Sequence, residues 1–313
     1  MLLVLGALVG SLSVMGVARG GVATTPAAAP STAQSVPAAS AATLCSAPRG
    51  KTVRVTLDVA GQGRRTALMH LPRNFPGHPV PMLLALHGAS GSGAFMESYS
   101  GLSRLADREG FAVAYPDAAG PKWRISAGDG SADVAFLDAL LDRLMAGGCV
   151  DENRISAVGV SNGAGMAVRY ACDAEDRLAG LVSVAGGYSS LPPCRANRPL
   201  SVLEIHGTAD AVVPYYGRPG QPQGDVVRFV TSWVQRGGCT RAAQRRQVSA
   251  RVLWLTWAPC RNGTTVEHLR LIGGTHAWPG TDGPDFGVSA SEEAWKFLSG
   301  RRRSAAGPQD QEG

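Results

Sequence analysis

Lysine is nearly absent from this sequence. The 313 residues include 30 lysines and arginines against 24 acidic residues, a formal charge of +6, yet lysine stands only at Lys51, Lys122 and Lys296. The arginines are scattered apart from Arg301-Arg302-Arg303. No basic stripe or nucleic-acid module occurs, so no nucleic-acid partner is expected. Aromatics are scarce at 6 %. No internal repeat is visible, which excludes a solenoid or propeller. No Cys-x-x-Cys occurs, which removes the usual zinc spacing. Charged residues are 17 % and hydrophobic ones 44 %, a balance that excludes global disorder. Long charge-free apolar runs are missing except at the N-terminus, which excludes a polytopic membrane protein.

That N-terminal run covers residues 1–18, the length of a signal-peptide core and short for a membrane span. Small residues at Gly16 and Ala18, or Gly21 and Ala23, suit a signal peptidase, but no Lys or Arg precedes the run. Residues 1–23 are therefore read as a signal peptide or N-terminal anchor, with no membrane span in the mature protein. Residues 24–44 are an Ala/Pro/Ser/Thr stretch without periodicity, expected to be a disordered linker. Residues 45–300 form the expected catalytic domain, and 301–313 a disordered tail. All six cysteines follow the linker, and an even count behind an export signal points to disulfides and an extracellular location. Proximity along the chain pairs Cys172 with Cys194 and Cys239 with Cys260, leaving Cys45 with Cys149.

Alternating apolar residues predict strands over 53–59 and 67–71 with a Gly-Gln-Gly turn between. Short apolar runs predict further strands over 82–86, 111–115, 155–160, 181–185, 202–205, 252–257 and 266–271. Helical stripes fall over 102–108, 133–145, 164–171, 226–235 and 292–298. Strands alternating with helices predict an α/β fold: a mostly parallel sheet with helices on both faces.

Gly159-Val160-Ser161-Asn162-Gly163 is the single Gly-x-Ser-x-Gly match, between a predicted strand and a predicted helix. That is the context of a nucleophile elbow, whose tight turn lifts a serine out of the sheet. A serine nucleophile needs a base and an orienting carboxylate, here in the order Ser, Asp or Glu, His. His206, His268 and His276 follow the serine. His206 and His268 belong to strands, whereas His276 follows the last strand in a loop, where a base must hang. Asp210 lies just beyond a strand end. Its competitors fit less well: Asp225 caps a helix, Asp282 and Asp285 follow the histidine, and Glu204 is inside a strand. The strand over 82–86 runs into His87-Gly88-Ala89-Ser90-Gly91. The oxyanion donors are assigned to the backbone N–H groups of Asn162 and Ala89, with Gly88 or Ser90 as neighbours of the latter. Trp123 and Trp278 are candidates for the substrate cleft or for packing. The interval between Ser161 and Asp210 has no room for a helical lid, so no large lid is expected.

Six blocks carry a resemblance: 86–88 (LHG), 133–137 (DVAFL), 150–155 (VDENRI), 159–166 (GVSNGAGM), 205–215 (IHGTADAVVPY) and 273–280 (GGTHAWPG). They resemble secreted esterases of the polyhydroxybutyrate depolymerase and feruloyl esterase group. The resemblance implies an α/β-hydrolase fold, no metal, no cofactor and an acyl-enzyme mechanism, with Ser161 as nucleophile, Asp210 as orienter and His276 as base. A monomer acting on carboxylic esters, polyhydroxybutyrate-type polyester or its oligomers first, is the resulting expectation. Feruloyl or acetyl esters of plant polysaccharide are the alternative, and a non-catalytic binding protein on a hydrolase scaffold is the reading from another class. Residues 301–313 are too few to form the polymer-binding domain that such depolymerases often carry, and none is expected within them.

Overall fold

A computed structural model describes residues 45, 47–128, 131–174, 176–218 and 221–303. The proposed leader or anchor over 1–23, the linker over 24–44 and residues 304–313 of the tail lie outside the described residues.

Among the described residues the first strands form an antiparallel hairpin, β1 (Thr52–Val59) and β2 (Gly63–His70). The chain continues through β3 (Val80–Leu86), helices α1 (Gly93–Ser100) and α2 (Leu102–Glu109), β4 (Ala112–Pro116), α3 (Ser131–Met145), β5 (Val150–Val160) and α4 (Asn162–Asp173). Then follow β6 (Gly180–Val184), β7 (Ser201–Gly207), a small hairpin of β8 (Tyr216–Arg218) and β9 (Gln221–Asp225), and α5 (Val226–Arg236). The last elements are β10 (Gln244–Ser249), β11 (Val252–Trp257), β12 (Val266–Leu271) and α6 (Ala290–Leu298).

Ten strands form one sheet in the order β1-β2-β4-β3-β5-β6-β7-β12-β11-β10. The six central strands from β4 to β12 are parallel, and the two pairs at the edges run antiparallel. Buried parallel strands read as continuous apolar runs because both faces are covered. β3 shows how: Met82, Leu84 and Leu86 face one core with Phe136 of α3, Met166 of α4 and Phe229 of α5. Leu83 and Ala85 face the other, with Met96 of α1, Leu105 of α2 and Phe297 of α6. The fold is the α/β-hydrolase arrangement, with helices on both faces.

Disulfides join Cys45 to Cys149, Cys172 to Cys194 and Cys239 to Cys260. They tie the described N-terminal end to the entry of β5, the end of α4 to the connection before β7, and the end of α5 to the loop before β12.

Sequence periodicity misses three features. α1 has few apolar residues and buries only Gly93, Met96 and Ser100; its start is fixed by Ser92, whose Oγ accepts from Phe95 N–H at 3.1 Å. β10 is exposed throughout and has a single apolar residue, Val248, so no alternation marks it. β8 and β9 are too short to carry a pattern. One tail assignment is corrected. Arg301 donates to the Phe297 carbonyl and to Thr265 Oγ1, and Arg303 N–H donates to the Asn153 carbonyl at 2.7 Å. Residues 301–303 are packed on the sheet end because the long arginine side chains find acceptors there.

Candidate active site

Ser161 stands in the turn from β5 to α4 with φ 55° and ψ −120°. This left-handed region is costly for a residue with a side chain and recurs where a nucleophile must be held up from the sheet. The surroundings hold it: Ser161 N–H donates to Val184 at 2.9 Å, and its carbonyl accepts from Gly165 and Gly187, each at 3.1 Å. Gly163 lets the helix press against the end of β3. A Cβ there would lie 2.3 Å from the carbonyl oxygens of Leu86 and His87.

The loop after β3 passes beside the serine; a Cβ on Gly88 would sit 3.5 Å from that of Ser161. Ala89 is exposed in this loop. Asn162 is the first residue of α4, so its N–H has no acceptor within the helix. Its side chain is engaged: Oδ1 accepts from Trp123 N–H at 2.7 Å and Nδ2 donates to the Trp123 carbonyl at 3.2 Å. Burial lowers the His87 pKa. Neutral His87 accepts at Nε2 from Ala118 N–H at 3.1 Å, which leaves the proton on Nδ1, facing the Gly88 carbonyl. It is a loop support, not a base.

Asp210 and His276 meet across two turns at the carboxyl ends of β7 and β12. His276 Nδ1 donates to Asp210 Oδ2 at 2.7 Å. That fixes the tautomer and leaves Nε2 as the accepting nitrogen. The turns are sewn together by Ala209 N–H to Gly274 and Thr208 N–H to Leu271, both at 2.8 Å, and by Gly273 N–H to Thr208 Oγ1. Asp210 Oδ1 accepts from Val212 and Val213 N–H at 2.9 and 2.8 Å. Burial alone would raise the Asp210 pKa. Hydrogen bonds from His206, His276 and Val213 outweigh it and hold the carboxyl well below the usual carboxylate range. Ser161 is linked to this pair through Gly187: a Cβ on that glycine would lie 3.9 Å from both the Ser161 carbonyl oxygen and Val213 Cγ2. A depression lined by Gly187, Val212, Val213, Pro214 and Arg218 opens here.

The two tryptophans do not line a cleft. Trp123 is 1 % exposed and its indole N–H donates to the His87 carbonyl at 3.0 Å. Trp278 is fully buried and donates to Ser291 Oγ at 3.0 Å. Large rings with one donor are held in the core when that donor finds a partner, and both do. Trp278 anchors the His276 loop. Its N–H lies 2.8 Å from Asp282 Oδ1 and 2.9 Å from Tyr99 Oη, so Asp282 serves the loop rather than the base.

Sequence reasoning set Glu204 and His206 aside as strand residues and missed their link to Asp210. They alternate on one face of β7 and point at Asp210 from below. His206 Nδ1 lies 2.8 Å from Glu204 Oε1, and its Nε2 lies 3.3 Å from Asp210 Oδ2 and 3.0 Å from the Val213 carbonyl. The i, i+2 spacing of a carboxylate and an imidazole in an otherwise apolar strand was the available signal.

A family model described as phospholipase/carboxylesterase matches residues 129–219. The chain is 33 % identical over 282 residues to NocK of Nocardia uniformis subsp. tsuyamanensis, named as an inferred esterase, covering 77 % of this chain and 81 % of that one. The chain belongs to the α/β-hydrolase esterase family. Within that family it is 29 % identical over 235 residues to feruloyl esterase B of Piromyces equi, covering 68 % of this chain and 42 % of that protein, so it spans less than half of that relative. Among solved structures, acetyl xylan esterase from Aspergillus awamori matches with a TM-score of 0.60 at 15 % identity, over 80 % of this chain and 99 % of that one. That likeness shows the α/β fold. The chain is a carboxylesterase-type hydrolase.

Proposed function

We propose that this esterase cleaves carboxylic esters outside the cell through a covalent acyl-enzyme on Ser161. The carrying observation is the His276–Asp210 hydrogen bond at 2.7 Å, on the same sheet edge as the strained Ser161 turn. Ser161 Oγ attacks the ester carbonyl while His276 Nε2 takes its proton. The negative oxygen rests on the N–H groups of Asn162 and Ala89. Collapse breaks the ester C–O bond, and the proton on His276 passes to the leaving alkoxide as alcohol. Water, deprotonated by His276, then attacks the acyl carbon and releases the acid. Asp210 stays ionised and steadies the imidazolium.

We infer an ester carried on a polymer or its oligomers, because no helix stands between β6 and β7 to roof the sheet edge. Polyhydroxybutyrate-type polyester rests on the sequence blocks quoted above. Plant-polysaccharide feruloyl or acetyl esters are the second reading, favoured by relatives named for those activities. Export agrees with three disulfides, which persist in oxidising compartments.

The test compares the protein with Ser161→Ala on a short-chain nitrophenyl ester, methyl ferulate, acetylated xylan and amorphous polyhydroxybutyrate, reading released acid. Release that needs Ser161 is expected, and the preferred substrate selects between the two chemistries. No release, with no fluorophosphonate labelling at Ser161, would leave a binding protein on a hydrolase scaffold.

A further inference from the structure

Six side chains form one hydrogen-bonded line beneath the active-site edge. Ser183 of β6 bonds Tyr188 Oη, and Tyr188 Oη donates to Glu204 Oε2. Glu204 Oε1 faces His206 Nδ1 at 2.8 Å; His206 Nε2 faces Asp210 Oδ2 at 3.3 Å, and that same oxygen accepts from His276 at 2.7 Å. Ser183, Glu204 and His206 are at most 1 % exposed, and Tyr188 and Asp210 are 4 %. The line has no room for variation at its base: a Cβ on Gly186 would fall 2.1 Å from Tyr188 Oη and 2.4 Å from Ser183 Oγ.

Every acceptor around the His206 ring faces a nitrogen. Nδ1 meets a carboxylate, and Nε2 meets a carboxylate and a carbonyl, so both nitrogens must carry protons to satisfy them. Of the other titratable and charged neighbours, Arg270 is the register partner of His206 on β12, and its guanidinium lies over the Tyr215 ring at 5.2 Å. Tyr215 lies edge-on at a centroid distance of 5.9 Å. His268 on β12 is occupied by the Tyr215 hydroxyl and the Glu204 carbonyl.

We propose that His206, gripped through both ring nitrogens by Glu204 and Asp210, is a positioning residue that fixes the Asp210 carboxylate and moderates its pull on His276. The inference rests on the active-site reading given above. An imidazolium on the far side of Asp210 shares its negative charge, so His276 gives up its proton to the leaving group more readily. Glu204 neutralises the buried cation and sets its orientation, and Tyr188 sets that of Glu204.

Wild-type turnover, silenced in Ser161→Ala, first establishes the reading on which this rests. His206→Gln keeps a donor toward Asp210 but removes the cation and leaves Glu204 buried and unpaired. Its kcat is expected to fall about 10- to 100-fold with KM little changed. The acid limb of kcat/KM moves to higher pH, because Asp210, unopposed, and Glu204, its cation gone, both raise the basicity of His276. In His206→Gln/Glu204→Gln both charges are gone and folding is protected from the unpaired carboxylate. There the acid limb falls only part of the way back, because the Glu204 charge is gone while Asp210 remains unopposed, and kcat stays low. Nitrogen-labelled histidine NMR of the wild-type protein, slightly above neutral pH, reads the protonation directly: both His206 nitrogens are expected to be of the protonated type. A bare nitrogen on His206, or a folded single or double variant with wild-type kcat, overturns the proposal. So does a folded His206→Gln enzyme whose acid limb has not moved. A purely structural role would lower the melting temperature and leave that limb in place.

Discussion

The amide of Asn162 clasps the backbone of Trp123, accepting from its N–H at 2.7 Å and donating to its carbonyl at 3.2 Å. This double bond of neighbours joins the first residue of α4 to the loop between β4 and α3. That loop is itself fixed at Asp133, which is buried and accepts from Arg65 at 2.9 Å and from Arg124 N–H at 2.9 Å. The backbone of Asn162, a proposed oxyanion donor, is thus held by its own side chain.

Asn162→Ala leaves the peptide N–H in place and removes the clasp. A loss of about 1–2 kcal/mol in transition-state stabilisation, or about 5- to 30-fold in kcat, is expected. Steady-state kinetics alongside a thermal melt checks this. An unchanged kcat would mean that the turn needs no support from Trp123.

Two buried histidines give stability a dome in pH. His206 loses to burial but gains more from its hydrogen bonds with Asp210 and Glu204, and is held up to about 9 from an ordinary 6.5. Its contribution is complete below about 6.5 and lost as pH rises through about 9. Burial pushes His268 down to about 4. Its contribution is present above about 6.5 and lost as pH falls through about 4. The depressed carboxyl of Asp210 adds to the loss in acid. Melting temperature should therefore peak near pH 6.5, within about one unit. A profile that keeps rising from pH 7 to 9 would contradict the charged state of His206.

The disulfides set a third expectation. Thiol titration of the native protein should find none of the six cysteines reactive. Reduction should lower the melting temperature, each bridge contributing about 2–4 kcal/mol. Several reactive thiols in the native protein would sink the framework.

Much of the fold is legible in the sequence because parallel central strands must be apolar on both faces. Met82 to Leu86 is visible as a run for that reason, and the helical stripe of Phe136, Leu137, Leu140, Leu141 and Leu144 is just as plain. Ser161, Asp210 and His276 are legible as candidates because loop chemistry at strand ends stands out against apolar runs; the structure joins Asp210 to His276 and puts Ser161 in a strained turn. Glu204 and His206 were hidden by the same logic: residues inside a strand read as structural, and only the neighbouring side chains show a buried charge pair. Trp123 and Trp278 misled because a tryptophan near a site satisfies its N–H equally well from within the core. α1 escaped because a helix held by a cap and three small contacts needs no apolar stripe.

A ten-stranded sheet that does not close leaves two raw margins, and β10 is one of them. Arg245 and Arg246 stand on that margin, with Gln244 and Gln247 beside them, all facing water, and Arg246 lies 5.1 Å above the Trp254 ring. Like charges along a margin repel the same margin of a second molecule, so strand-to-strand stacking between copies is opposed there. The two arginines on this margin then read as a safeguard of colloidal stability: they keep the open flank of the sheet from becoming a template.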